Sequence, residues 1–190
     1  MMLNDSRKGM NDTPSDEKKL REEYFKTIEE CAKGKINFRI SNGSVDHAAY
    51  LLKSFFEYGN KRVFIFTGQL RHIFDNPDMI KKACEFLKKH DSELTVAYAD
   101  KDVPDDIIRA HPFIKGIIGD PDLAKKFRLF NAKGMYSDHP HFALMDNSAY
   151  RLESDHHKSH AIANFGDIKT VQRLDVTAKA ITENSMEISL

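Results

Sequence analysis

The chain has 190 residues and a mass of 21.8 kDa, the size of one compact domain, which argues against a two-domain enzyme with a separate cofactor fold. Twenty-nine Lys+Arg balance 29 Asp+Glu at a pI near 7.1, which excludes the strong basic field of a general nucleic-acid coat protein, so any nucleic-acid contact must be local. Hydrophobic residues at 41%, with 13 Phe and no Trp, supply a core, yet they do not cluster enough for a membrane span.

In chain order, the polar start lacks the apolar centre of a signal peptide and reads as a flexible lead-in over 1–16, ahead of one domain over 17–184 and a polar tail over 185–190. Leu20, Tyr24, Phe25, Ile28 and Cys31 recur at helical spacing from Asp16 to Ala32, before Gly34. Ile36, Phe38 and Ile40 alternate in strand period, and Ser41-Asn42-Gly43-Ser44 can cap a helix carrying Val45, Ala48, Leu52, Phe55 and Phe56. Arg62 to Phe66 reads as a central strand, and Asn76-Pro77 supplies an N-cap and an N1 proline for the next helix. Leu94 to Ala99 forms another strand, and Val103 to Asp106 opens a short helix ending before His111-Pro112. Phe127–Phe130, His141–Met145, Ala149–Leu152 and Ala161–Phe165 are short strand-like runs, with Asp146-Asn147-Ser148 as a hairpin turn. A last helix covers Asp167 to Thr182.

This alternation predicts an α/β fold: a mixed, mainly parallel β-sheet sandwiched by helices on both faces, with antiparallel strands in the second half. The two cysteines, Cys31 and Cys84, fall in helical stretches, which fits buried reduced thiols and a cytoplasmic protein. No P-loop or internal repeat is present, and no organic cofactor is expected.

Nine His are present, and five of them, His139, His141, His156, His157 and His160, fall within 138–160. His139 and His141 enter a strand two residues apart and share a face, with Phe142 and Leu144 alternating around them and Asp146 where the strand turns. One chemistry for such a set is metal binding, with His139, His141 and His156, His157 or His160 as imidazole ligands and Asp138, Asp146 or Asp155 as carboxylate partner. The other reading is a pair of partly buried, hydrogen-bonded histidines followed by a solvated loop.

The stretch His139-Pro140-His141-Phe142-Ala143-Leu144-Met145-Asp146 has the spacing of the H-x-K-x4-D motif of the phospholipase D superfamily. Glu153-Ser154-Asp155-His156 stands six residues later, where that family reads G-S-x-N. The element order also resembles one half-domain of that superfamily, and Tyr150 to Glu153 and Ala163-Asn164-Phe165 resemble segments of bacterial members with an eroded motif. The resemblance implies a phospholipase D-like fold. It implies His139 as the nucleophile that forms a phosphohistidine, His141 at the lysine position, Asp146 at the motif aspartate and Ser154 beside the site. Glu153, His156 and Asn164 would then border the substrate. With one motif per chain, it also implies a homodimer in which two copies of His139 face each other.

Three departures weigh on that chemistry. His141 replaces a lysine: imidazole, with a reference pKa of about 6.5, is mostly neutral at pH 7 where lysine is charged. Glu153 replaces the glycine and sets a carboxylate where a phosphate would be repelled. His156 replaces the asparagine. The expectation is therefore a degenerate member that has lost catalysis and serves as a homodimeric binding or scaffolding component for a nucleic acid, a phosphate-bearing ligand or a protein partner. The alternatives are a phosphodiesterase or nuclease acting through His139, and a metal-binding domain. Three further stretches have two readings each. Lys81-Lys82, Lys88-Lys89, Lys125-Lys126 and Arg128 are phosphate contacts or a solvated helix face. Ser41 to Ser44 is an anion-binding turn or plain capping, and Thr67-Gly68-Gln69 is a pocket edge or a βα turn.

Overall fold

The computed structural model describes residues 14–70, 72–100, 103–133, 139–155 and 160–190; positions 1–13 of the expected lead-in lie outside them. Helix α1 (Pro14–Gly34) leads to strand β1 (Ile40–Asn42) and helix α2 (Val45–Tyr58). Ser44 caps α2 from an extended backbone, its hydroxyl accepting from the His47 N–H at 3.1 Å. The alternation of Ile36, Phe38 and Ile40 predicts a longer first strand than the one found. Lys35 at φ 47° and an Ile36 N–H donated back to the Cys31 carbonyl (3.0 Å) turn the chain off α1, and pairing starts only at Ile40.

Strand β2 (Arg62–Thr67) is followed by α3 (His72–Asp75) and α4 (Pro77–Leu87), and β3 (Glu93–Tyr98) by α5 (Asp105–Arg109), α6 (Pro112–Ile118) and α7 (Pro121–Ala124) before β4 (Phe127–Asn131). Three of these helices start alike. Asn76, His111 and Asp120 each accept from the backbone N–H two residues on, and the intervening proline needs no partner for a donor it lacks. The second half forms β5 (Phe142–Met145), β6 (Ala149–Asp155), β7 (His160–Asn164), α8 (Ile168–Glu183) and β8 (Met186–Glu187). Asp167 caps α8, accepting from the Thr170 N–H at 3.1 Å.

The strands form one sheet in the order β1-β7-β6-β5-β2-β3-β4-β8. It is a mixed α/β sheet with helices on both faces, as the alternation predicts. Parallel pairing is confined to β2, β3 and β4, and the antiparallel part takes in β1 from the first half as well as the later strands. Residues 185–190, expected as a polar tail, instead close the far edge. Met186 pairs with Asn131, and the Ile188 N–H donates to the Leu129 carbonyl at 2.8 Å while its side chain is buried.

Each face of the sheet carries its own core. On one, Val63, Ile65, Val96, Leu129, Ala143 and Met145 pack against α1, α2, α4 and α6 through Ile28, Leu52, Phe55, Phe86 and Phe113. On the other, Phe64, Phe66, Phe130, Phe142, Leu144 and Tyr150 pack against Val171, Ala178 and Ile181 of α8. Each fully buried side chain of this size stabilises the fold by about 1.5–3 kcal/mol. Both cysteines are free thiols, Cys31 buried and Cys84 half-buried, and burial pushes both above their ordinary pKa. No helix among the described residues is long and apolar enough to cross a membrane.

Candidate functional site

Antiparallel pairing of β5 with β2 brings the start of β5 beside the end of β2, with Phe142 opposite Phe66. His141 therefore stands next to Thr67 and Gly68, at the edge where the parallel strands end, the usual place for ligand sites in open α/β sheets. On its other side β6 runs past with Leu152 opposite Phe142, and the Glu153 N–H donates to the His141 carbonyl at 2.8 Å. Residues two apart on a strand share a face, so Arg151 and Glu153 both project toward α2, as Ala143 and Met145 do on β5.

These strands assemble a polar chain. His141 Nδ1 lies 2.8 Å from one oxygen of Glu153, and Arg151 Nη1 donates to the other at 3.2 Å. Arg151 Nε donates to Asn42 Oδ1 at 3.1 Å, and the Asn42 amide donates to the Ser44 carbonyl at 3.0 Å, tying the group to the cap of α2. Arg151 is only 7% exposed, so its charge needs a partner held in place. Burial alone would raise the Glu153 pKa, but the His141 hydrogen bond and the Arg151 charge outweigh it and bring the carboxyl down from 4.5 to about 2. The carboxylate is thus ionised throughout the physiological range. An ionised carboxylate only accepts, so the Nδ1 of His141 carries the shared hydrogen.

The chain opens onto a cavity of about 300 Å³. Its walls are apolar: Val45, Ala48 and Leu52 of α2, Ile65 and Phe66 of β2, and Ile73 and Phe74 of α3. Thr67, Gln69, His141, Arg151 and Glu153 supply its polar groups. The Thr67 hydroxyl donates to the Gln69 carbonyl at 2.8 Å, shaping the turn that leaves β2.

The other expected site residues are placed apart from this group. His139 is exposed and, like His141, precedes β5, which starts at Phe142. Phe142 and Leu144 do face the opposite core, as the alternation predicts. Asp146 lies at the far end of β5, at φ 52°, where its carboxylate accepts from the N–H groups of Asn60, Lys61 and Arg62 at 2.9–3.2 Å; it fixes the hairpin against the start of β2. Asn164 pairs with Tyr150 and joins two loops, donating to Asn37 Oδ1 and accepting from the Gly166 N–H, both at 2.8 Å. Ser154 contributes backbone to β6, but its side chain lies outside the described residues, as do the whole of His156 and His157.

Among the described residues no cluster of His, Cys, Asp and Glu forms a metal site. The Ser41–Ser44 turn is a capping turn, with Asn42 turned inward to Arg151. Most of the basic pairs are engaged within the chain. Lys89 Nζ donates to the carbonyls of Phe56, Glu57 and Gly59 at 2.6–3.2 Å, and Lys126 Nζ to those of Leu87 and Lys89 at 2.8–2.9 Å, closing the C-terminal ends of α2 and α4. Lys82 reaches Glu57 and Glu85, Lys125 reaches Asp122, and Arg128 is held by both oxygens of Glu187.

Sequence reasoning missed Arg151 and Asn42 as members of the site. Arg151 carried one legible signal: it stands two residues before Glu153 on a strand, hence on the same face. Asn42 carried none, because its role depends on β1 pairing with β7 next to β6.

Comparison with solved structures identifies the fold. The chain superposes on Nuc, a phospholipase D family member from Salmonella typhimurium, with TM-score 0.57 and 11% identity over 80% of this chain and 100% of that one. NucT from Helicobacter pylori gives TM-score 0.53 and 10% identity over 80% of this chain and 99% of that one. TrmBL2, an archaeal chromatin protein with a novel mode of DNA binding, gives TM-score 0.59 and 12% identity over 92% of this chain, which spans 63% of its length. The fold is phospholipase D-like, and the match takes in the whole length of Nuc and nearly all of NucT. Sequence comparison matches neither a protein-family model nor a curated protein.

Proposed function

We propose that this chain is a non-catalytic, homodimeric binding or scaffolding component built on the phospholipase D-like fold. One observation carries the reading: the Glu153 carboxylate sits between Arg151 and His141, 3.2 Å from the first and 2.8 Å from the second. A phosphodiester in this group would have to displace an ionised carboxylate from its hydrogen-bonding partners or lie against it, and the developing charge of a phosphoryl transition state would meet the same repulsion. The neutral formal charge and the internally engaged lysines add to this, since they leave little field to hold a polyanion. A neighbour in fold that is a chromatin protein supports a binding role for the architecture, and a nucleic-acid contact by this chain would be local.

A phosphodiester cleavage assay without added metal, comparing the native chain with His139→Ala, tests the reading. The expected result is no turnover of nucleic-acid or lipid diesters by either protein. The second reading, cleavage through a phosphohistidine, is favoured by the exposed position of His139 two residues before His141. Turnover by the native chain that is abolished in His139→Ala would establish it and overturn the first. The dimer is tested by light scattering on a sizing column: the reading expects twice 21.8 kDa, and a monomer at micromolar concentration removes it.

A further inference from the structure

We propose that the cavity between α2, α3, β2, β5 and β6 binds an uncharged, mainly apolar small molecule, and that Glu153 sets this preference by keeping anions out. The inference rests on the non-catalytic reading of the same site and deepens it. At about 300 Å³ the cavity falls at the lower end of the range for small-molecule sites, and like them it combines apolar walls with a few convergent polar groups. Leu52, Ile65, Ile73 and Phe74 supply a surface on which a flat ring or short hydrocarbon leaves water.

Charge selects among such ligands. The buried cation of the cavity is Arg151, and the Glu153 carboxylate already neutralises it. An incoming carboxylate or phosphate finds no uncompensated positive charge and meets a fixed negative one, while an incoming ammonium would sit against Arg151. A neutral molecule meets neither cost. Its polar end has a partner at the rim, where the exposed Gln69 side chain lines the cavity and offers both a donor and an acceptor.

The test uses four probes with one ring and different heads: benzamide, benzoate, phenyl phosphate and benzylamine, titrated into the full chain and followed by backbone amide shifts in NMR. Benzamide is expected to bind and to move the signals of Thr67, Gln69 and Ala143, with the three charged probes at least about tenfold weaker, a difference of about 1.4 kcal/mol. In Glu153→Gln the order should invert, because Arg151 then lacks its counter-charge and the two anions gain about tenfold or more. Val45→Trp, at a rim position that is 56% exposed, narrows the mouth without entering the core and should weaken benzamide about tenfold, which keeps the test informative if Glu153→Gln does not fold. Benzoate or phenyl phosphate binding the native chain as tightly as benzamide, or no probe binding at millimolar concentration, overturns the proposal. Absence of binding together with absence of diester turnover removes this ligand class and leaves the non-catalytic reading standing. Turnover overturns that reading whatever the probes do.

Discussion

A side chain on Gly68 would begin 2.8 Å from the Nε2 of His141, so the imidazole lies against the turn after β2 only because that position has no Cβ. The same ring reaches Glu153 through Nδ1. Gly68→Ala should push His141 off this position, lengthen its bond to Glu153 and cost about 1–2 kcal/mol in a urea melt. A variant with native stability and an unshifted His141 ring signal would show that the close approach does not position the ring.

Stability should depend on the Glu153 carboxyl below neutral pH. Its folded-state pKa is about 2 against an ordinary 4.5, so between these values the unfolded chain takes up a proton that the native chain does not. The contribution is fully present above about pH 4.5 and is lost as the pH falls through about 2, with a size of about 3 kcal/mol. Urea midpoints measured from pH 6 down to pH 2.5 should fall more steeply for the native chain than for Glu153→Gln. Parallel curves would contradict the sign or the assignment.

Removing one partner of the Arg151 pair should cost far more than replacing both. Glu153→Ala leaves the charge of Arg151, a residue only 7% exposed, without its carboxylate and should destabilise by about 3–5 kcal/mol. Arg151→Met combined with Glu153→Leu removes the buried charges together and should fall within about 1–2 kcal/mol of the native chain. A double variant that loses as much as Glu153→Ala or more, measured in one denaturation series, would show that the unpaired Arg151 charge is not the source of the loss.

Asp146 is predicted to matter for folding and not for ligand preference. Asp146→Ala leaves three backbone N–H groups at the start of β2 without their acceptor and should cost about 2–3 kcal/mol. Asp146→Asn keeps one oxygen acceptor and tolerates φ 52°, so its loss should be about half as large. Selectivity among the four ring probes should be unchanged in both, and a shifted preference would tie Asp146 to the cavity.

The elements legible in the sequence are those specified locally. Asn76-Pro77 and Asp167 announce the helices they cap, and the run Arg62 to Phe66 announces a strand buried on both faces. The edges of the sheet are less legible: the strand period over Ile36 to Ile40 meets β1 only at Ile40, and Met186-Glu187 shows no pattern, because these strands form through distant partners, Ile40 with Ala163, 123 residues on, and Met186 with Asn131, 55 residues back. Pairing over such distances leaves no local pattern to read.

The site divides in the same way. His141 and Glu153 are legible through the spacing of the motif frame, and the charge of the carboxylate follows from the residue type. Its engagement by Arg151 and Asn42 was not legible, because it arises only when β1, β7 and β6 lie side by side. The motif frame places Asp146 in the site and Asn164 beside the substrate. Strand direction separates them from it: Asp146 is at the opposite end of β5 from His141, and Asn164 pairs with Tyr150, whose side chain belongs to the core under α8.

On the proposed reading, Glu153 holds the group in a form that cannot support phosphoryl transfer. Intact-mass spectrometry of the native chain, quenched in acid-free denaturant during incubation with a reactive aryl phosphodiester, tests it most directly. The account predicts an unchanged mass at every time point. A phosphoryl adduct that forms on the native chain and is absent from His139→Ala would contradict it.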